Sequence, residues 1–366
     1  MQTDQPQKQQ PQTDQPKIEV LLEEVVKRKA SDLHLQVGLS PMLRIDGRLM
    51  PLQGTPPLTE EVVENLVFAL LDEDQKQILL RDKEFDFSFA FGNIGRFRVN
   101  SFHERGNLAA AMRLIPSEVR TIDQLGLPKI LNNFAEYPRG LVLITGPTGS
   151  GKSTTLAALI DKINTEQAKH IITVEDPIEY THSSKKSVIA QREVHYDTYS
   201  FSAALRSALR EDPDVVLIGE MRDLETIAAA ITIAETGHLV LATLHTNSAS
   251  QSIDRMIDVF SPHQQPQIRA QLGNILMGIC SQRLIPAIGG GRVVAAEILI
   301  ATPAVRNIIR ENKTYQLEAV IQTGAESGML GMNRALIDLI HSGVITYDEA
   351  RNYTTDLEEL DRLMRG

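Results

Sequence analysis

The chain has 366 residues, 42% of them apolar and 23% charged, with a formal net charge of −10. That length exceeds one compact core and predicts two domains, and an acidic chain with its basic residues scattered among acidic neighbours is not built to hold a nucleic-acid backbone. Cys280 is the only cysteine, which excludes an intramolecular disulfide and a multi-cysteine metal site and fits a reducing compartment, the cytoplasm.

Residues 1–17 carry the pentapeptide QTDQP twice and almost nothing apolar, so burial cannot offset the entropy of ordering them and a disordered Gln/Pro-rich tail is expected. The segment has no signal-peptide pattern, and no apolar stretch in the chain approaches the roughly 20 residues that span a bilayer. Membrane association is therefore expected through partners, without direct insertion. Residues 18–116 then read as a small α+β module. Ile18, Leu21, Leu22, Val25 and Val26 repeat at helical spacing and predict a helix ending near Ala30. Residues 32–35 alternate polar and apolar, and Asp46-Gly47 between two short apolar runs predicts a hairpin. Thr59 caps a helix with Glu60 and Glu61 in its first turn and Val62, Val63, Leu66, Val67, Leu70 and Leu71 as its buried stripe. The alternating residues 85–91 predict a half-buried strand, and Arg96-Phe97-Arg98-Val99 a second one with both arginines on one face.

Residues 117–139, with Pro128 and Pro138, read as a linker to a second domain over residues 140–366. There, apolar runs at 141–145, 170–175, 214–220 and 238–245 alternate with helical segments, as in an α/β sheet covered on both faces. Beyond about Ser261 the chain reads as mainly helical, apart from a turn at Gly289-Gly290-Gly291 and a strand-like run at 292–300. One helix there starts with Thr302 as cap and Pro303 at its first position. Its apolar stripe is Val305, Ile308 and Ile309, and Arg306, Arg310 and Lys313 follow the opposite, polar face.

Gly146-Pro147-Thr148-Gly149-Ser150-Gly151-Lys152-Ser153 matches G-x-x-x-x-G-K-[ST] at every required position, between a predicted strand and a helix over 153–163. Backbone N–H groups and a helix N-terminus then converge on phosphate oxygens, Lys152 reaches the β- and γ-phosphates, and Ser153 binds Mg2+. Thr154 follows as a further nucleotide-binding candidate. Phosphoryl transfer also needs carboxylates, and strand ends offer Glu175, Asp176 and Glu179 after one run and Glu220 after another. Glu220 stands where aspartate is commoner, which suits holding Mg2+ through a water. His238 and His245 bracket the run 239–244, with Thr243 and Thr246 nearby; seven apart, they face opposite ways, so one of them sensing a γ-phosphate is favoured over a shared metal. Arg206 and Arg210 read as a solvated or salt-bridged helix face.

Taken in order, GPTGSGKSTT, IITVEDPIEY, ALREDPDVVLIGEMRDLETI and ETGHLVLATLHT resemble the Walker A, aspartate, Walker B and histidine boxes of the type II/IV secretion ATPase superfamily. SDLHL, GRFRVN and AVRNIIRENK are most similar to its pilus retraction branch, and the resemblance covers nearly everything from Ile18 onward. It implies a PAS-like N-terminal domain and a RecA-like ATPase domain forming a homohexameric ring that hydrolyses ATP with Mg2+ to retract type IV pili. It further implies Glu179 as general base, Glu220 on the Mg2+ side, and Arg96, Arg98 and Arg113 as approaching the phosphates; beside these, Lys152 and His245 stand as catalytic candidates and His238 as a nucleotide-binding one from their own positions. An inner-membrane platform protein and the pilus machinery are the implied partners. Two departures stand out: the added tail, and Ala-Val-Arg-Asn-Ile-Ile-Arg-Glu where the family has Ala-Ile-Arg-Asn-Leu-Ile-Arg-Glu, both swaps keeping apolar character. A pilus assembly or secretion ATPase, an accessory retraction ATPase, a non-hydrolysing scaffold and a nucleic-acid translocase remain as alternatives. The single cysteine argues against the assembly branch, whose members often carry a four-cysteine zinc module.

Overall fold

The computed structural model describes residues 16–45, 47–92, 95–115 and 118–365. The expected tail, apart from Pro16 and Lys17, lies outside the described residues, as does Asp46 of the hairpin turn. The chain divides into two compact units, Met1–Ser117 and Glu118–Gly366. Among the described residues no helix is long and apolar enough to cross a membrane.

In the first unit α1 (Ile18–Lys27) buries Ile18, Leu21, Leu22 and Val25. It stops short of Ala30 because Lys29 turns left-handed, at φ 53°. There follow β1 (Asp32–Leu35), β2 (Met42–Ile45), β3 (Arg48–Pro51), α2 (Glu60–Phe68), α3 (Glu73–Asp82), β4 (Glu84–Phe91), β5 (Gly95–Glu104) and β6 (Asn107–Ile115). The strands form an antiparallel sheet in the order β3-β2-β1-β6-β5-β4. Helix α2 is capped by Thr59 as expected, but its last turn tightens: Leu70 and Leu71 bond back three residues and leave the helix. Helix α3 and strand β6 carry little periodic signal. The local signature of α3 is a capping box between Asp72 and Gln75, and β6 is specified by its pairing with β1 and β5.

Period two along β5 buries Phe97 and Val99 and turns Arg96 and Arg98 to the other face. Arg113 lies directly opposite Arg98, and Asp32 directly opposite Arg113. Like charges opposed across a ladder repel. Asp32 relieves this, accepting from Arg113 Nε at 2.8 Å with Arg44 Nε at 3.6 Å. Burial pushes the Asp32 carboxyl up, but the Ser31 hydroxyl and the Arg113 guanidinium outweigh it and hold it below the usual carboxylate range.

The second unit runs α4 (Leu131–Phe134), β7 (Gly140–Thr145), α5 (Lys152–Glu166), β8 (His170–Glu175), β9 (Val188–Glu193), α6 (Phe201–Ala208), β10 (Val215–Ile218), α7 (Leu224–Glu235), β11 (Leu239–Leu244), α8 (Ala249–Asp258), α9 (Gln265–Ile275), β12 (Leu276–Pro286), β13 (Arg292–Ile300) and α10 (Pro303–Arg310), then α11 (Leu317–Thr323), α12 (Met332–His341), α13 (Tyr347–Arg351) and α14 (Leu357–Arg365). The sheet order is β13-β12-β7-β11-β10-β8-β9, parallel throughout except for β13. Every residue of β7, β10 and β11 is buried, which is why these segments read as continuous apolar runs. This is a RecA-like α/β architecture, preceded by the smaller α+β unit.

Two expectations change here. The stretch read as a linker contributes Ile122, Leu127, Leu131 and Phe134 to the core of the second unit, against Val142 and Ile144 of β7. The region after Ser261, read as mainly helical, holds β12, an eleven-residue strand beside β7 that joins β13 through the glycine turn. Pairing on both sides specifies β12; its own sequence is ambiguous between helix and strand.

The polar face of α10 also differs from expectation. Thr302 caps the helix and Val305 and Ile309 are buried, but Arg306 turns inward. Its Nε donates to the Ala301 carbonyl at 2.9 Å, and its Nη1 to the carbonyls of Gly273 and Asn274 in the last turn of α9. Arg306 is thus a cap on a neighbouring helix, where a cation satisfies orphan carbonyls and opposes the macrodipole. Gly273 permits the approach, since a Cβ there would lie 3.1 Å from the Arg306 carbonyl oxygen. Arg306→Ala should therefore cost about 1–3 kcal/mol by stranding those carbonyls. Exposed Arg310→Ala should cost less than about 0.5 kcal/mol, and urea titration of the two variants beside wild type checks the difference.

Candidate active site

Because β7, β8, β10 and β11 are parallel, their carboxyl ends open on one edge of the sheet, where α/β proteins place their ligands. β11 sits between β7 and β10, so the segment after β11 lies between the loop after β7 and the segment after β10.

The loop after β7 is Gly146 to Gly151, and α5 begins at Lys152. At Gly146, with φ 144°, a Cβ would stand 2.3 Å from the Gln282 carbonyl oxygen and 2.5 Å from Ser150 Oγ. Gly149 and Gly151 adopt φ of 77° and 88°, a region open to glycine at no steric cost. Pro147 and Thr148 lie between, and the buried Ser150 hydroxyl has no hydrogen-bond partner among the described residues. Lys152 is 8% exposed and donates to the carbonyls of Gly146 at 2.9 Å and Pro147 at 3.1 Å. Burial lowers its pKa, while Glu179 and Glu220 pull it back up, so both carboxylates act on this ammonium. Ser153 and Thr154 follow in the first turn of α5, half-buried, with Thr154 Oγ1 3.0 Å from the Tyr180 hydroxyl. A glycine cradle, a buried cation and an orphaned hydroxyl at a helix N-terminus fit a phosphate chain.

Glu220 lies two residues beyond β10, its side chain 12% exposed. Gly219 before it must be small, because a Cβ there would lie 3.2 Å from Glu175 Cα. Arg222 Nε holds Glu220 Oε1 at 2.7 Å, and His245 Nε2 is 3.6 Å from Oε2. His245 Nδ1 faces the Thr148 hydroxyl at 3.5 Å. Burial and the nearby Lys152 lower the His245 pKa against the pull of Glu220. The imidazole spans the gap between the loop and Glu220. Thr243, on β11, donates to the Gly219 carbonyl at 2.5 Å, and Thr246 pairs with Ser252 at 2.7 Å.

After β8, Asp176 and Glu179 are exposed, with Ile178 buried between them. Glu175 is half-buried, and desolvation raises its pKa from 4.5 to about 7 despite hydrogen bonds from Thr173 and Gln191. The folded state holds that proton more tightly than the unfolded chain. The stability it contributes is full below about pH 4.5 and is lost as pH rises through about 7. Glu175→Gln should flatten this part of the curve of melting temperature against pH between about pH 5 and 8.

Other residues singled out from the sequence are placed differently. His238 precedes β11, at the amino edge of the sheet, where its Nδ1 is 3.0 Å from both the Ile233 carbonyl and the Thr236 hydroxyl. A strand rise of about 3.3 Å per residue separates it from His245 by roughly 20 Å, so His238 does not join the phosphate loop. Arg206 of α6 faces Glu225 at 3.9 Å, a surface contact, and Arg210 lies just beyond the end of α6. Arg96, Arg98 and Arg113 share one face of the first unit's sheet. The sequence reading did not single out Arg222, Tyr180 or Gln282. For Arg222 the signal was present, two residues after a strand-end glutamate.

The family model for type II/IV secretion system proteins matches residues 7–290. The chain belongs to this family. Among its relatives, the type IV pilus retraction ATPase PilT of Pseudomonas aeruginosa is 50% identical over 90% of this chain and 96% of its own. A twitching motility protein of Neisseria gonorrhoeae is 49% identical over 88% and 86%. The crystal structure of the pilus retraction motor PilT with bound ADP superposes on this family member with a TM-score of 0.89 at 48% identity, covering 95% of this chain and 99% of that one.

Proposed function

We propose that this secretion-family ATPase is the motor that retracts type IV pili, hydrolysing ATP as a homohexamer. It would work on the cytoplasmic side of the inner membrane through the pilus machinery and its platform protein. The observation that carries the reading is the convergence of Lys152, Glu220 and His245 at one sheet edge, in a chain 50% identical to a retraction ATPase along nearly its whole length. Gly146 to Thr154 cradle the phosphates, and Lys152 neutralises their charge. Exposed Glu179 orients and deprotonates the attacking water. Ser153 and Glu220, the latter through a water, would hold Mg2+, which supplies charge neutralisation of the transferring phosphoryl group. His245, between Thr148 and Glu220, reads the γ-phosphate. Arg96, Arg98 and Arg113 are proposed to favour phosphate by their charge.

The type IV pilus ATPase PilU of Pseudomonas aeruginosa matches less closely than the retraction ATPase, at 39% identity over 94% of this chain. Deleting the gene in its host tests the reading. Abundant surface pili with no twitching are expected; a bald cell would make the chain an assembly motor, and normal twitching would remove it from retraction.

A further inference from the structure

Gln282 sits in the middle of β12, the strand beside β7, and is 2% exposed. Its side-chain nitrogen donates to the Ser150 carbonyl at 2.8 Å, and its side-chain oxygen accepts from the Thr155 hydroxyl at 2.9 Å. Ser150 belongs to the phosphate loop and Thr155 to the first turn of α5, so one amide ties the two together. Its backbone carbonyl also backs Gly146, and its Nε2 would stand 3.2 Å from a Cβ on Gly151. The residue therefore touches the loop at its entrance, its middle and its exit.

A glycine-rich loop has many accessible conformations, and its N–H groups bind phosphate well only when already aimed. We infer that Gln282 is a positioning residue that presets the curvature of the phosphate loop for nucleotide, an inference that rests on the loop being the nucleotide site. The amide suits the task because it offers a donor to one side and an acceptor to the other. Glutamate would set oxygen against the Ser150 carbonyl, and leucine would make neither bond. Because the loop grips phosphates in ground and transition states alike, its misplacement weakens binding more than it slows chemistry.

The test compares purified wild type with Gln282→Leu, Gln282→Glu and Thr155→Val, reading fluorescent ADP binding, steady-state ATP hydrolysis and thermal melting. ADP affinity should fall about 10-fold in both Gln282 variants, with KM for ATP rising in step and kcat changing less. Thr155→Val should weaken ADP binding in the same direction, and its effect should not add fully to that of Gln282→Leu. A cooperatively melting Gln282→Leu protein that binds ADP within about twofold of wild type would overturn the inference, since the bonds would then serve stability alone. If Gln282→Leu does not fold, the nearly isosteric Thr155→Val decides, and unchanged ADP affinity there overturns it. Lys152→Ala separates the two levels. Nucleotide binding and hydrolysis both unaltered in that variant would remove the loop as the site, whereas hydrolysis lost there with unaltered ADP binding in Gln282→Leu removes only the role of Gln282.

Discussion

Lys152→Ala will leave a folded protein with ATP hydrolysis reduced by about 10³-fold or more, the scale on which a preorganised charge at a transferring group acts. The ammonium is held inside the loop by the carbonyls of Gly146 and Pro147, so its charge is fixed where phosphate oxygens converge and needs no reorganisation during the reaction. Alanine strands those two carbonyls at a cost of about 1–3 kcal/mol. A domain stable by about 5–15 kcal/mol tolerates that. Phosphate release at saturating ATP, with a melt of the same sample, checks both halves. Wild-type turnover in a folded variant would remove the loop from catalysis.

Glu179→Gln will bind ATP and hardly cleave it, losing about 10²- to 10⁴-fold in single-turnover rate, as loss of a general base does. Glu179 is exposed and outside the glycine cradle, so the amide leaves phosphate binding in place. Glu220 should fail differently. Arg222 and His245 fix its carboxylate beside the loop, and Glu220→Gln should shift the Mg2+ concentration needed for half-maximal rate along with the rate itself. Identical metal dependence in both variants would contradict the division of roles.

The loop was legible because its glycines, lysine and serine recur at a spacing that chemistry imposes, between an apolar strand and a helix. Glu220 and His245 were legible as strand ends. His238 is the informative exception: it precedes its strand, and in a parallel sheet the residues that follow strands are the ones at the ligand edge. β12 was hidden because its eleven residues owe their conformation to β7 and β13 on either side, and with it went Gln282. Arg306 was misplaced because helical periodicity says which residues share a face, not what a long guanidinium reaches. Its partners are α9 carbonyls more than 30 residues away in sequence.

Imaging of fluorescently labelled pili in living cells tests the central claim most directly. A deletion strain carrying the wild-type chain should extend filaments and draw them back, and the same strain carrying Lys152→Ala should extend filaments that stay out. Unchanged retraction with Lys152→Ala, or failure to extend any filament in the deletion strain, would contradict the assignment of this chain as an ATP-driven retraction motor.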